Sequence, residues 1–314
     1  MDLNEMLTIF SPPKPFQGKI DMIQRNAIES WIALGDDVEV IVLGDEIGLS
    51  AVATEYGVRH IKNIARNEMG TPLLDDIFSQ VGRVASNDLL CYVNADIIFL
   101  DDLLPSVGDI ARQLERFLVV GQRWDLEIEE RIKADANLVA TLRGYIRASG
   151  RLHRPSGSDY FIYHRGEFDD MPPFALGRAG WDNWMIYAGI RKKIPVIDAT
   201  SGITAVHQDH DYAHLPEGKP HYRLPETERN IELAGGRQMI FTLTDTSWTY
   251  HPGRLRRKSL LEGGWTRRLE SLVYSMAGPG KISHFFGYLF HPRRTLRSYS
   301  MWLSHNLKKT RLRD

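Results

Sequence analysis

Cysteine is almost missing from this sequence: of 314 residues, only Cys91 carries a thiol. No intrachain disulfide can form, so the core must hold the fold, and such usage fits a reducing compartment. Long apolar runs are missing too; none approaches the roughly 20 residues of a membrane-spanning helix. The opening Met1-Asp2-Leu3-Asn4-Glu5 has neither the basic start nor the apolar core of a secretory leader, so a cytoplasmic location is expected. No glycine-rich dinucleotide fingerprint follows the first apolar run, and no P-loop occurs anywhere. Their absence argues against a dehydrogenase and against a P-loop NTPase. There is no internal repeat and no low-complexity segment. What is present, 43% apolar and 25% charged residues, is ordinary globular composition. The length suits one large α/β domain with an appendage, or two smaller domains.

A net charge of −1 conceals a strong asymmetry. From Tyr250 onward there are 14 Lys/Arg and 3 Asp/Glu, which leaves 25 Lys/Arg and 37 Asp/Glu in residues 1–249. An acidic body thus carries a basic tail, and the tail also holds aromatics such as Trp265, Phe285, Phe286, Tyr288, Phe290 and Trp302. Basic-plus-aromatic segments suit an anionic bilayer surface. Packing of the tail on the acidic body is the competing expectation. Nucleic acid is not expected as a partner, because no recognised nucleic-acid module is present. The division expected from this change is a body over residues 1–249 and a basic, aromatic extension over 250–314.

The body alternates strand and helix signals. Leu7 to Phe10 reads as a strand ended by Pro12-Pro13, and Lys19 to Leu34 places apolar residues at helical spacing. Val38 to Leu43 is a second strand, closing on Gly44-Asp45; helical signals over 49–56 and 72–84 follow. Further strands are predicted at 58–61, 117–121, 160–163 and 195–200, with a helix from Gly180 to Ile190. Short connections between such elements predict a mostly parallel sheet flanked by helices. Ligands of such sheets bind at the carboxyl ends of the strands.

The most informative run is Asp88 to Phe99, almost unbroken apolar residues interrupted by Asn94-Ala95-Asp96. Read as one buried strand, it sends the Asn94 and Asp96 side chains to the same side. A carboxylate in an apolar run is costly unless paired, hydrogen-bonded or bound to a cation. Two oxygen donors side by side suit a hard divalent ion such as Mg²⁺ or Mn²⁺. The competing expectation is turn chemistry, with Asp101-Asp102 as a helix cap.

Taken together, the Pro-rich end of the first strand, Val-Leu-Gly-Asp after the second, Asn94-Ala95-Asp96, Gly180-Trp181-Asp182-Asn183 and the late His207 resemble the GT-A glycosyltransferases. The motif order matches over residues 7–212, within a bacterial and plant-like branch of the nucleotide-diphospho-sugar transferase superfamily. One departure is Asn94, where the usual Asp-x-Asp metal motif has its first acid.

The resemblance implies a Rossmann-like, mostly parallel sheet with a basic helical extension. It implies metal ligation by Asp96, Asn94 and His207, with Mn²⁺ or Mg²⁺ as cofactor. Ser11, Lys14, Asp45, Asn94, Asp96, Asp159 and Trp181 take the donor-binding positions, and Asp182 is the general base of an inverting reaction. The implied partners are a nucleotide-sugar donor and a glycan or lipid-linked acceptor. The implied setting is polysaccharide biosynthesis at the inner face of a membrane.

Each residue also has a plainer role open to it. Asp182 is placed to cap a helix, Asp45 and Asp159 to shape turns, His207 and His210 to sit in a surface loop, Trp181 to fill core. Two other functions stay open on the residues alone: a non-catalytic sugar-nucleotide or glycan-binding module, and a nucleotidyltransferase. The second of these lacks its usual Gly-rich, basic loop after the first strand.

Overall fold

The computed structural model describes residues 7–132, 137–210, 224–259, 262 and 265–290. Residues Leu7–Ser11 form β1, followed by α1 (Gly18–Ile32), β2 (Val38–Leu43), α2 (Leu49–Tyr56), β3 (Arg59–Ile61) and α3 (Leu74–Val84). Next come β4 (Leu89–Val93), β5 (Ile97–Phe99), α4 (Leu103–Ala111), β6 (Leu118–Val120), β7 (Trp124–Leu126), α5 (Leu138–Ser149), β8 (Arg151–Leu152) and β9 (Tyr160–His164). The chain continues through α6 (Trp181–Arg191), β10 (Val196–Asp198), β11 (Ala205–Gln208) and α7 (Pro225–Leu233). The last described elements are β12 (Trp248–His251), β13 (Arg254–Arg257), α8 (Trp265–Ala277) and α9 (Lys281–Phe290).

A nine-stranded sheet in the order β13-β12-β10-β6-β9-β4-β1-β2-β3 forms the centre. Most of its pairings are parallel; β9 runs antiparallel between β4 and β6, and the β12–β13 hairpin closes one edge. This is the mostly parallel, helix-flanked sheet that the alternation of elements predicts. Strands buried on both faces read as continuous apolar runs, as LTIFS, VEVIVL and LLCYV do. Period-two alternation then divides them between two cores. Phe10, Ile41 and Tyr92 are registered neighbours that meet α3 and α6 on one face. Ile9, Val40 and Cys91, one residue away, meet α1 and α4 on the other.

The apolar run from Asp88 to Phe99 is not one strand. β4 ends at Val93 and β5 belongs to a second, four-stranded sheet in the order β5-β11-β7-β8. Asn94 to Asp96 is the turn between the sheets. The Asn94 N–H leaves the ladder for the Asp159 carbonyl at 2.9 Å, and the Ile97 N–H donates to the Asn94 carbonyl at 3.1 Å. The same-side argument for Asn94 and Asp96 therefore fails, since it requires extended backbone through both. β6 passes into β7, and β10 into β11, at the same seam. The Asp102 carboxylate does not cap α4; it accepts from the Thr204 N–H at 2.8 Å and hydroxyl at 2.6 Å, which ties the β10–β11 connection down.

The proposed division after residue 249 falls inside β12, which pairs with β10, so the main sheet continues to Arg257. α8 packs against α6. Its Tyr274 is buried in the core, and Arg267 makes two 2.8 Å bonds to the buried Asp245. The basic residues expected from Arg293 to Lys309 lie outside the described residues.

Gly121, the residue that leads β6 toward the second sheet, shows how closely the seam is packed. A Cβ there would overlap the buried Tyr160 hydroxyl and approach the Thr200 nitrogen to 3.2 Å. Overpacking of this kind costs about 1–3 kcal/mol. Gly121→Ala should therefore lower stability by about that amount in a urea titration. An unchanged midpoint would show that the seam adjusts freely.

Candidate functional site

The seam opens into a cleft of about 820 Å³ at the carboxyl ends of β1 and β4, where an open α/β sheet binds its ligands. The volume is within the ordinary range for small-molecule sites. β1 supplies Lys14 through the Pro12-Pro13 segment. Gln24 of α1 fixes that backbone by accepting from the Lys14 N–H at 2.6 Å and donating to its carbonyl at 2.8 Å. Burial lowers the Lys14 ammonium pKa, against the opposing pull of the Asp96 carboxylate.

Asp96 projects from the turn between the sheets. His207 and His210, on β11 and just beyond it, approach its Oδ2 with their Nε2 atoms at 3.7 and 3.2 Å. Their ligand atoms and that of Asp96 lie within 4.8 Å of one another. Burial pushes the Asp96 pKa up, but the His210 hydrogen bond and the charges of His207 and Lys14 hold it well below the usual carboxylate range. Its other oxygen, Oδ1, is buried with no hydrogen-bond partner. An ionised carboxylate oxygen left this way, beside two imidazoles, fits a divalent cation.

On its far side, the His207 Nδ1 lies 3.4 Å from both Asp125 and Asp209. These acids also hold Arg123, His153 and Arg151 at 2.7–2.9 Å. Both acids stand close to Nδ1, which is buried and makes no hydrogen bond, and with His207 they form a second cluster of potential ligand atoms.

Asn94 lines the cleft, but its amide is engaged: Nδ2 donates to Asp159 at 2.8 Å, and Oδ1 accepts from the Tyr92 hydroxyl at 3.0 Å. Asp159 in turn receives Arg123 at 2.5 Å. The antiparallel register Val93↔Tyr160 is what brings Asp159 beside Asn94.

Across the cleft, Gly180 at φ +112° turns the chain into α6, a conformation that favours glycine. Trp181 is only 5% exposed and meets the Tyr92 ring edge-on at 4.9 Å, so most of the indole is core and little of it is open to a sugar. Asp182 faces the cleft. Its carboxyl is pushed up to about 6 by burial, with the Asp159 charge adding and backbone N–H groups of the first turn opposing. The cap position itself falls to Gly180, whose N–H donates to Asp182 at 3.3 Å.

Two expected donor-site residues stand apart. Ser11 is fully buried within β1 and is not in the cleft wall. The Asp45 side chain is 58% exposed and bonds Arg66 at 2.6 Å; it lines a neighbouring hollow, while Arg66 lines the cleft. Sequence reasoning gave no ligand role to His210 and no site role to Arg123 or Asp125. The spacing of His207 and His210 was the available signal for the first. Nothing local marks the other two.

No family model matches the sequence, and no curated protein sequence does. Among solved structures, the chain is similar to TarS 1–349 of S. aureus, at 11% identity and TM-score 0.40, covering 66% of this chain and 58% of that one. It is similar to the same protein in complex with UDP-GlcNAc, at 12% and 0.46 over 73% and 65%. The chain thus spans less than two thirds of the TarS segment's length. A third likeness is to glucosyl-3-phosphoglycerate synthase of Mycobacterium tuberculosis with Mn²⁺, UDP and phosphoglyceric acid, at 15% and 0.45 over 74% and 79%. At such distances the functional reading rests on the chemistry of the cleft.

Proposed function

We propose that this chain is a metal-assisted glycosyltransferase that moves a sugar from a nucleotide-sugar donor to an acceptor hydroxyl with inversion. The observation that carries the reading is the pairing, in one cleft, of the Asp96–His207–His210 group with a carboxyl of raised pKa, Asp182. The three ligands would hold Mn²⁺ or Mg²⁺, which supplies charge neutralisation to a departing nucleoside diphosphate. Lys14, half-buried and lining the same cleft, adds a positive charge whose pull Asp96 feels.

Asp182 takes the proton of the acceptor hydroxyl while that oxygen forms its bond to the anomeric carbon and the bond from that carbon to the diphosphate oxygen breaks. A base whose pKa lies about a unit below the working pH is mostly ionised there yet still basic enough to accept the proton. The acceptor is a hydroxyl of a glycan or of a lipid-linked glycan. A pure binding module would need neither a base at Asp182 nor an elevated pKa there.

The deciding experiment is a thermal-shift screen against UDP-, GDP-, CMP- and dTDP-sugars, with and without Mn²⁺. A ligand that binds only the native state raises its stability, by about 2.7 kcal/mol at a hundredfold excess over Kd. A shift with one nucleotide class, present only with Mn²⁺, is the expected result. Absence of any metal-dependent shift overturns the proposal. Binding without Mn²⁺-dependent hydrolysis or transfer would favour the module instead.

A further inference from the structure

Beyond the transferase reading, and independent of it, we infer that the hairpin of α8 and α9 is a docking face for an anionic lipid bilayer. Each helix carries apolar residues on two faces. The inner face is spent on the body, with Tyr274 buried and Phe286 packed against the core. The outer faces repeat at i, i+3 and i+7: Leu269, Leu272 and Met276 on α8, Ile282, Phe285 and Leu289 on α9, all 44–76% exposed. A helix apolar on its solvent side as well as its core side is not adapted to water.

Charge selects the occupant. The hairpin itself holds Arg267, Arg268, Glu270 and Lys281, and the sequence after it, outside the described residues, adds seven Lys/Arg from Arg293 to Arg313 against Asp314 alone. A second copy meeting this face symmetrically, through its own hairpin, would bring like charge to it and be repelled. Nucleic acid matches the charge but leaves the aliphatic and phenyl stripe uncovered. An anionic bilayer satisfies both, since its headgroups attract the basic residues and its acyl boundary takes up the stripe. Among the described residues no helix is long and apolar enough to cross a membrane, so the contact lies at the surface.

The hairpin is also fixed to the cleft wall. Arg267 sits over the Phe241 ring at 5.4 Å, and the Phe241 carbonyl accepts from the Asn183 amide of α6 at 2.6 Å. At the other end, Arg191 of α6 donates to the Ser275 carbonyl at 3.0 Å. Docking would therefore set the attitude of the cleft toward the surface.

The test is co-sedimentation of the full chain with phosphatidylglycerol-containing vesicles against pure phosphatidylcholine vesicles. Binding to the first only is expected, with an affinity that falls at least about tenfold in the triple variant Leu272→Gln, Phe285→Gln, Leu289→Gln. The melting temperature and any nucleotide-sugar shift should not change, because all three side chains point to solvent. As a second readout, Phe285→Trp should add indole emission that brominated-lipid vesicles quench. The inference is overturned by no vesicle binding, by equal binding of the triple variant, by added indole emission that brominated lipid leaves unquenched, by a dimer that the triple variant dissolves, or by binding to an oligonucleotide alone.

Discussion

Asp96→Ala is expected to remove the Mn²⁺-dependent part of nucleotide-sugar binding. Asp96 is the sole carboxylate in its ligand group; the other two donors are imidazole nitrogens. A hard divalent ion prefers charged oxygen, and two imidazoles alone make a poor site for Mn²⁺ or Mg²⁺. Titration calorimetry with the donor found by thermal shift should show affinity in Mn²⁺ falling about a hundredfold, or about 3 kcal/mol. It should then equal the affinity without metal. Affinity unchanged in Mn²⁺ would sink the ligand assignment. Asp96→Asn separates charge from shape, because the amide oxygen keeps a hydrogen bond for His210 but contributes no net charge. An intermediate loss is expected from it. His210→Ala tests the second imidazole of the group, with a smaller drop in Mn²⁺ affinity expected than from Asp96→Ala.

The sheet was legible because its strands are buried on both faces. Such strands read as short apolar runs between helical periods, so the Val38–Leu43 strand and the helices near α1 and α2 fall within a residue or two of expectation. Mostly parallel order follows from the alternation. Of the expected site residues, Lys14, Asn94, Asp96, Asp159, Trp181, Asp182 and His207 line one cleft, because they sit at or near strand ends and helix starts. The turn at Asn94, the competing expectation, could not be told from a continuous strand because apolar residues flank it on both sides, and the acceptor of its hydrogen bonds, Asp159, lies far along the chain. Ser11 looked available as a strand-end hydroxyl, but the sheet buries all five residues of β1. The support behind His207 depends on β7 pairing with β11. That pairing brings Asp125 and Arg123 to the site from a distant segment, with no local pattern to announce it.

Asp182→Asn is expected to leave donor binding intact and to lower transfer by about 10²–10⁴-fold, the usual worth of a positioned general base. The amide keeps the shape of the carboxylate and an oxygen for the Gly180 N–H, so the first turn of α6 should hold. Wild-type kcat/KM should rise with pH up to about 6, where the Asp182 carboxyl loses its proton, and level off above. The variant should lack that limb. Stability should move in the opposite sense. The folded state holds this proton to about 6 against an ordinary value of 3.8, so between these values the native state binds more protons than the unfolded chain. Stability contributed at this position therefore declines as pH rises through that window and stays lower above it. Asp182→Asn should remove the decline, so its melting temperature relative to wild type should climb from acid toward pH 7. A variant that transfers sugar at the wild-type rate would refute the base role. A melting difference that does not change with pH would show that the carboxyl titrates normally, and the helix-start position would then be structural.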